Sequence, residues 1–301
     1  MLALRTLIAC ALGFLILAGS AANAEDAAQS IQQRQEEDLR AAFEAVERNA
    51  IHGPQRVPLL TQGSIELPKG YVFVPQPTAG QLSRALGNPH SPVLAGMLFD
   101  EEGSGWMAYL DYIGDGYIKD DDALTWNAND LLQGLKDGTE AANGERQERG
   151  FPPLEVTGWA EKPAYDAKEH RLVWSAIVRQ KSADSSASSV NYNTYALGRE
   201  GHFELNLVTA ADRIEEQKIH ARTLLAALAF DEGKRYQDFN AETDHVAEYG
   251  LAALVGGIAA KKLGLLAVIA AFFAKFAKLF AVAAIAGLVG LKRLFTGRRQ
   301  G

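Results

Sequence analysis

The chain has 301 residues and a formal net charge of −7. Apart from Arg5 and the eight basic residues that follow Glu248, it has 21 Lys and Arg against all 37 Asp and Glu, so its middle carries a net charge near −16. Nucleic-acid binding requires clustered Lys and Arg, and this acidic balance therefore argues against nucleic acid as a partner. Between two hydrophobic ends, the remaining length suits one folded domain.

The N-terminal segment, residues 1–24, has the order of regions that is typical of a secretory signal peptide. Arg5 precedes an apolar core from Leu7 to Ala18, and Ala22-Asn23-Ala24 provides small residues for cleavage. Cys10 lies in this segment and is the only cysteine, so the mature protein would have neither disulfides nor Cys-ligated zinc. A lipoprotein signal at Cys10 and an uncleaved N-terminal anchor are the two alternatives.

Residues 25–53 are predicted to form an amphipathic helical neck. Between Ser30 and Ala50, apolar residues recur at near-helical spacing on an otherwise charged surface. The pair Gly53-Pro54 then stops the helix. The mixed charges fit a solvated helix face better than a binding site.

Residues 54–247 are predicted to form an α+β domain, an antiparallel sheet packed by helices. Its first strands form a meander between Val57 and Val74, and a helix then runs from Thr78, a candidate cap, to Leu86 before Gly87. Apolar and alternating runs predict six more strands and two more helices. The strands are Val93–Phe99, Trp106–Ile113, Leu154–Ala160, Leu172–Val178, Val190–Leu197 and Phe203–Leu207; the helices run from Asn129 to before Gly150 and from Ala211 to Phe230.

Residues 248–291 are almost wholly apolar, and no carboxylate follows Glu248. A helix of about 20 apolar residues matches a hydrocarbon core of roughly 30 Å, so we predict a membrane-associated helical segment. A basic tail, residues 292–301, follows it. The positive-inside rule places this tail in the cytoplasm, and the signal peptide would export the domain to the other side of the membrane.

Two polar residues, Lys275 and Lys278, would lie in the middle of the membrane if one span ran from Leu263 to Leu291. Each would cost about 2.5 to 3.5 kcal/mol there. On a helical projection they share a cationic stripe with Lys261. Three interpretations stay open. The segment is a membrane anchor whose lysine side chains reach the membrane surface, or it is a helix that lies in the membrane–water interface. In the third interpretation, it crosses the membrane and its cationic stripe lines an oligomer. The number of crossings also stays open.

The candidate metal ligands are Asp111, Asp115 and Asp122. Together with two further aspartates they form the densest set of carboxylates in the chain. They take positions one, five and twelve of an EF-hand loop, with Gly116 at position six. The match is partial, because position twelve is normally Glu and the residues before Asp111 predict a strand rather than a helix. A turn followed by a helix start is the alternative.

No assembled catalytic motif is found in the sequence. None of the six histidines is paired at zinc-binding spacing, and no G-x-S-x-G elbow is present. His202 and Glu204 would share one face of a strand, which is a common arrangement. We therefore predict no catalytic residues and no cofactor, and a non-enzymatic protein.

A series of landmarks follows one order through the chain: Trp106, GYIKDDDA from Gly116, Gly158-Trp159, Pro163 with Tyr165-Asp166, Trp174, VNYNTYALGREG from Val190, Gly233 with Tyr236, and Tyr249-Gly250. Together they resemble the bacterial predicted membrane-anchored proteins grouped as domain of unknown function twenty-one sixty-seven. The resemblance covers nearly the whole mature chain. It implies a bacterial envelope protein with a C-terminal anchor, and it implies no activity and no catalytic residues. A weaker likeness, at fold level only, is to the photosystem-associated PsbP proteins.

The leading hypothesis is a non-enzymatic envelope protein that is anchored in the membrane and binds another envelope protein or a second copy of itself. One alternative is a membrane-tethered metal-dependent or hydrolytic enzyme centred on the segment from Asp111 to Asp122. The other alternative is a membrane-active oligomer that uses the lysine-striped C-terminal segment.

Overall fold

The computed structural model of the protein describes residues 22–88, 90–148, 152–181 and 188–256. The apolar core of the predicted signal peptide, Leu7 to Ala18, lies outside these ranges. So do Lys275, Lys278, the basic tail and the apolar segment beyond Gly256.

Within the described ranges the chain forms five α-helices, eleven strands and three short 3-10 helices. The α-helices are α1 (Ala22–Asn49), α2 (Thr78–Ala85), α3 (Ala128–Glu148), α4 (Ile214–Ala227) and α5 (Ala252–Gly256). The strands are β1 (Ile51–His52), β2 (Gln55–Leu59), β3 (Gly63–Leu67), β4 (Tyr71–Pro75), β5 (Leu94–Asp100), β6 (Met107–Ile113), β7 (Leu154–Asp166), β8 (Arg171–Gln180), β9 (Ser188–Leu197), β10 (His202–Ala210) and β11 (Leu228–Phe230). The 3-10 helices are Asp121–Leu124, Ala211–Arg213 and Tyr236–Asp238.

Eight strands form one sheet in the order β1-β4-β5-β6-β10-β9-β8-β7, and every neighbouring pair is antiparallel. A second, three-stranded sheet has the order β11-β3-β2. Helices pack against the large sheet. The predicted class, an α+β fold with an antiparallel sheet packed by helices, is confirmed.

The first face of the large sheet carries the largest core. Side chains along a strand alternate between faces, and on β10 the residues Phe203, Leu205 and Leu207 point to this side. They pack with α4, through Leu224, and with the small sheet, through Ile65. The face is therefore closed by apolar contacts.

The second face has two separate helical covers. Helices α1 and α2 pack on β4 and β5, where Phe43 and Leu82 are buried. Helices α3 and α5 pack over β8 and β9, where Leu131 and Val255 meet Trp174. Strands β6 and β10 lie between the two covers. Their polar residues on this face are therefore placed at the centre of the domain.

The predicted meander between Val57 and Val74 needs a correction. Its strands are found as β2, β3 and β4, but β3 pairs with β2 and β11, whereas β4 pairs with β1 and β5. The turn between Leu67 and Tyr71 thus carries the chain from one sheet to the other. Gly70 in this turn has a φ of +86°, a conformation that favours glycine.

The predicted cap at Thr78 is wrong. The N-cap residue of α2 is Pro77, and no side chain caps the helix. Instead, Oγ1 of Thr78 accepts a hydrogen bond of 3.0 Å from Nδ2 of Asn49 at the end of α1. The residue therefore joins the two helices. The predicted stop at Gly87 is confirmed, since its φ of +91° ends the helical conformation.

The helix predicted from Ala211 to Phe230 ends earlier, at Ala227. Residues 228–230 form β11, in which Leu228 is paired with Ile65 and buried. Gly63 makes this pairing possible, because a Cβ atom there would overlap the carbonyl oxygen of Ala229. Pairing with β3 at the edge of the small sheet thus decides the conformation of residues 228–230, although their sequence pattern is helical.

The start of the predicted membrane-associated segment packs against the domain. Leu251 and Val255 have no exposed surface and lie in the core beneath α3. In the part of the chain that the structure describes, no helix is both long and apolar enough to cross a membrane.

Candidate functional site

The polar centre of the second face lies against residues 245–256, which we call the C-terminal junction. Tyr117 forms a parallel bridge with Val246 at its start. The Tyr117 N–H donates to the carbonyl of His245 at 2.8 Å, and the N–H of Ala247 donates to the carbonyl of Tyr117 at 2.9 Å. Gly116 has a φ of +99°, and a Cβ atom there would lie 2.7 Å from the His245 carbonyl oxygen. Glycine is therefore required for this close approach.

Asp122 holds the beginning of α5. Its Oδ1 accepts a hydrogen bond of 3.0 Å from the N–H of Leu251, and its Oδ2 accepts one of 3.1 Å from the N–H of Ala252. These N–H groups have no partner within so short a helix, and a carboxylate stabilises them. A Cβ atom on Gly250 would overlap Asp122 Oδ2. Asp122 thus holds the start of α5, and glycine at position 250 leaves the space that the Asp122 carboxylate needs.

Asp115 contacts the junction through a tyrosine. The hydroxyl of Tyr249 donates to Oδ2 of Asp115 at 2.5 Å. Burial, followed by the hydrogen bond and negative charge of Asp115, raises the pKa of the Tyr249 hydroxyl above its usual value. Tyr249 therefore stays protonated and remains a donor.

Asp111 and Glu204 form a carboxyl pair at the centre of the sheet. They are direct cross-strand partners on β6 and β10, a position in which Cβ atoms lie about 5 Å apart. Burial first, and then the charge of Asp111, raises the pKa of Glu204 to about 7. Burial raises the pKa of Asp111 to about 6. Oδ1 of Asp111 is buried without a hydrogen-bond partner among the described residues.

Tyr195 connects this carboxyl pair to the junction. It is the cross-strand partner of Glu204 on the other side, on β9. Its hydroxyl lies 3.2 Å from Oε1 of Glu204 and 2.9 Å from the carbonyl oxygen of Leu254 in α5. The ring of His202, which is buried on the same face, lies 5.8 Å from the Tyr195 ring. Tyr195 thus links the sheet with the junction through Leu254, in addition to the contacts that Asp115 and Asp122 make from the segment after β6.

A second polar cluster lies beside the junction. The Tyr165 hydroxyl donates to Oδ2 of Asp120 at 2.8 Å and lies 3.2 Å from Nδ1 of His170. The His170 ring stacks on Tyr236 at 4.0 Å, and Tyr236 stacks on Tyr117 at 4.4 Å. His170 has a φ of +50°, which is uncommon outside glycine. This cluster fixes the loop between β7 and β8 against the segment that carries Asp120.

The structure separates the three predicted metal ligands. Asp111 faces Glu204, Asp115 accepts from Tyr249, and Asp122 accepts from two N–H groups of the junction. Among the described residues, no group of three or more His, Cys, Asp or Glu side chains is arranged to hold a metal ion. The metal site stays a prediction, whereas the contacts observed are those of a turn that precedes the 3-10 helix Asp121–Leu124.

Sequence reasoning did not identify Glu204, Tyr195 and Tyr249 as members of one site. A signal was present for Glu204, because it lies between Phe203 and Leu205 and shares one face of an alternating strand with His202. No local pattern indicates Tyr195 or Tyr249, since their partners come from distant segments of the chain.

The profile of one protein family, described as Protein of unknown function (DUF2167), matches residues 51–286. The predicted resemblance is therefore confirmed. A search of curated proteins gave no match. Among solved structures, the chain is similar to the solution structure of cyanobacterial PsbP (CyanoP) from Synechocystis sp. PCC 6803, with 16% identity and a TM-score of 0.37. That likeness covers 59% of this chain and 92% of that chain.

Proposed function

This chain belongs to the DUF2167 family of proteins of unknown function, and on that premise we propose that it is a membrane-anchored bacterial envelope protein with a non-enzymatic binding or scaffold role. Its acidic domain is exported to the periplasm and is held at the inner membrane by the apolar segment after Gly256. The partner is another envelope protein or a second copy of the chain.

The observation that carries this proposal is the docking of the C-terminal junction. The apolar segment continues from α5, whose residue Val255 is buried in the domain core. Asp122, Asp115 and Tyr195 hold the same stretch by hydrogen bonds. A tether that serves only as a flexible link needs no such contacts. The geometry therefore supports a domain that is held in a defined position relative to its anchor.

The charge of the domain supports a protein partner rather than the lipid surface. A segment with a net charge near −16 is repelled by anionic headgroups. In this proposal, Lys275 and Lys278 are anchoring lysines whose long side chains reach toward the membrane surface. Replacing both with Leu should leave the size of the protein in cross-linking experiments unchanged. A change in size would favour the membrane-active oligomer.

Cysteine labelling tests the proposed topology, because Cys10 is the only cysteine in the chain. In a Cys10→Ala background, single cysteines are placed at Ala141, which is exposed on α3, and at Thr296 in the basic tail. Cells with a permeabilised outer membrane are then treated with an impermeant maleimide. Labelling at 141 but not at 296 supports one crossing. Labelling at both positions would contradict it, and labelling at neither would contradict export.

A further inference from the structure

The Tyr195 hydroxyl has two acceptors and a single hydrogen. Oε1 of Glu204 lies 3.2 Å from it, and the carbonyl oxygen of Leu254 lies 2.9 Å from it. The hydroxyl can donate to only one of them at a time. Which acceptor receives the hydrogen depends on whether Glu204 itself carries a proton.

Two hydrogen-bonding states follow from this geometry. A protonated Glu204 can donate to the Tyr195 oxygen, which leaves the tyrosine hydrogen for Leu254. An ionised Glu204 can only accept, and a carboxylate is a stronger acceptor than a peptide carbonyl. The tyrosine hydrogen then turns to Glu204, and Leu254 loses its donor.

Four polar groups face Glu204; the charge of Asp111 favours its protonated form, whereas the hydrogen bond from Tyr195 favours its ionised form. Asp111 lies directly opposite on β6, and Tyr195 lies on β9. His202 precedes Glu204 by two positions on the same face of β10, and Tyr249 approaches from the junction. Like charges directly opposite each other are destabilising, so Asp111 and Glu204 resist ionising together.

We propose that the C-terminal junction is a proton-sensitive latch, which is closed when Glu204 is protonated and loosened when Glu204 is ionised. This inference deepens the proposed function and rests on it, because the C-terminal junction connects the folded domain to the proposed membrane anchor. Opening would also expose the carboxyl pair to water, where the ionised forms are favoured. By linkage, a rise in pH then promotes opening, which is the same direction that the hydrogen-bond exchange predicts.

The expected effect is modest and measurable. Loss of one hydrogen bond to Leu254 should raise the population of the open junction by about two- to tenfold. Burial of the pair adds to this effect, since burial raises the pKa of Glu204 to about 7 and that of Asp111 to about 6. The change should therefore take place mainly between pH 5.5 and pH 8.

The test uses the full chain with Cys10→Ala and one cysteine at Val255, which has no exposed surface. The protein is purified in detergent micelles, so the result does not depend on correct anchoring. Maleimide labelling is measured from pH 5.5 to pH 8 and is divided by the labelling rate of an Ala141→Cys reference, which removes the pH dependence of the thiol. The ratio should rise with pH by about two- to tenfold from the hydrogen bond alone, and by more if opening also brings the carboxyl pair into water.

Two variants distinguish the proposed latch from a general loss of packing in the domain. Glu204→Gln, which imitates the protonated acid, should keep the ratio low at every pH. Tyr195→Phe should raise the ratio at acidic pH, whereas the control Tyr192→Phe should not, because Tyr192 lies on the opposite face and its hydroxyl contacts Glu161 and Arg222. Equal pH profiles for the parent and Glu204→Gln would overturn the proposal.

A further variant keeps the proposal testable if Glu204→Gln does not fold. Asp111→Asn removes the charge that faces Glu204, so the rise in the ratio should move to lower pH. An unmoved midpoint would overturn the latch. Failure of the topology experiment alone would overturn membrane anchoring and leave the latch result intact, so the two failures can be told apart.

Discussion

The hydroxyl of Tyr249 donates a hydrogen bond of 2.5 Å to Oδ2 of Asp115, and the two residues are 134 positions apart in the chain. Hydrogen bonds to charged groups contribute about 1.5 to 3 kcal/mol to stability. Tyr249→Phe should therefore lower the free energy of unfolding by about 1 to 3 kcal/mol, measured by urea denaturation. The matched control is Tyr112→Phe, whose half-buried side chain has no described hydroxyl partner. Equal losses in both variants would show that the contact with Asp115 is unimportant.

Two glycine substitutions should have opposite effects. Gly250→Ala should lower the melting temperature, because the new Cβ atom would overlap Asp122 Oδ2 and displace the cap of α5. Gly138→Ala, in the middle of α3, meets no atom within 4 Å and should stabilise the helix by up to about 1 kcal/mol. The melting temperatures of both variants, measured by thermal unfolding, check the two predictions. A neutral Gly250→Ala would contradict the described docking of the junction.

Truncation should distinguish the junction from the apolar segment that follows it. A chain that ends at Gly256 should fold and stay in solution, because it retains every described contact of the junction. A chain that ends at Asp244 loses the buried side chains of Leu251 and Val255. Each large apolar side chain removed from a core costs about 2 to 5 kcal/mol, so this chain should be strongly destabilised or unfolded.

Circular dichroism and limited proteolysis check both truncated chains. If the chain that ends at Gly256 also failed to fold, the apolar segment would be part of the folded domain and the anchor proposal would be too simple. If the chain that ends at Asp244 were as stable as the longer one, the junction would have no structural role.

The free energy of unfolding should fall as the pH rises from about 5 to about 7. The pKa of Glu204 rises from 4.5 to about 7 on folding, so the folded state binds more protons than the unfolded state in this range. The stabilisation is complete below the unfolded-state value and is lost as the pH passes the folded-state value. The difference corresponds to roughly 3 kcal/mol. In Glu204→Gln the fall measured by urea denaturation should be smaller, and an unchanged slope would show that Glu204 is not responsible.

Calcium and manganese should leave the melting temperature unchanged. Both oxygens of Asp122 accept backbone hydrogen bonds, and Asp115 is held by Tyr249. These two carboxylates already accept hydrogen bonds from the protein, and a metal ion would have to compete with them. A rise in melting temperature with either ion, lost in Asp115→Ala, would support the metal-site hypothesis and the enzymatic alternative, since a ligand that binds only the folded state stabilises it.

Periodicity in the sequence predicted most of the elements because it reflects which side of each element is buried. The alternation of Phe203, Leu205 and Leu207 identified β10, and Gly198 with Gly201 identified the hairpin before it. The same local signals failed at Leu228, where a helical pattern continues but pairing with Ile65 gives a strand. Propensity is a weak prior, and a non-local partner overrides it.

The candidate site could be predicted only in part for the same reason. The sequence by itself determined that carboxylates are concentrated between Asp111 and Asp122, that a strongly apolar segment follows Glu248, and that the family is DUF2167. Only the tertiary structure decided what the carboxylates contact. Antiparallel pairing placed Glu204 opposite Asp111 and beside Tyr195, and packing of α5 brought Leu254 to the same hydroxyl. These contacts join segments that are far apart in the chain, and composition and periodicity describe only neighbours.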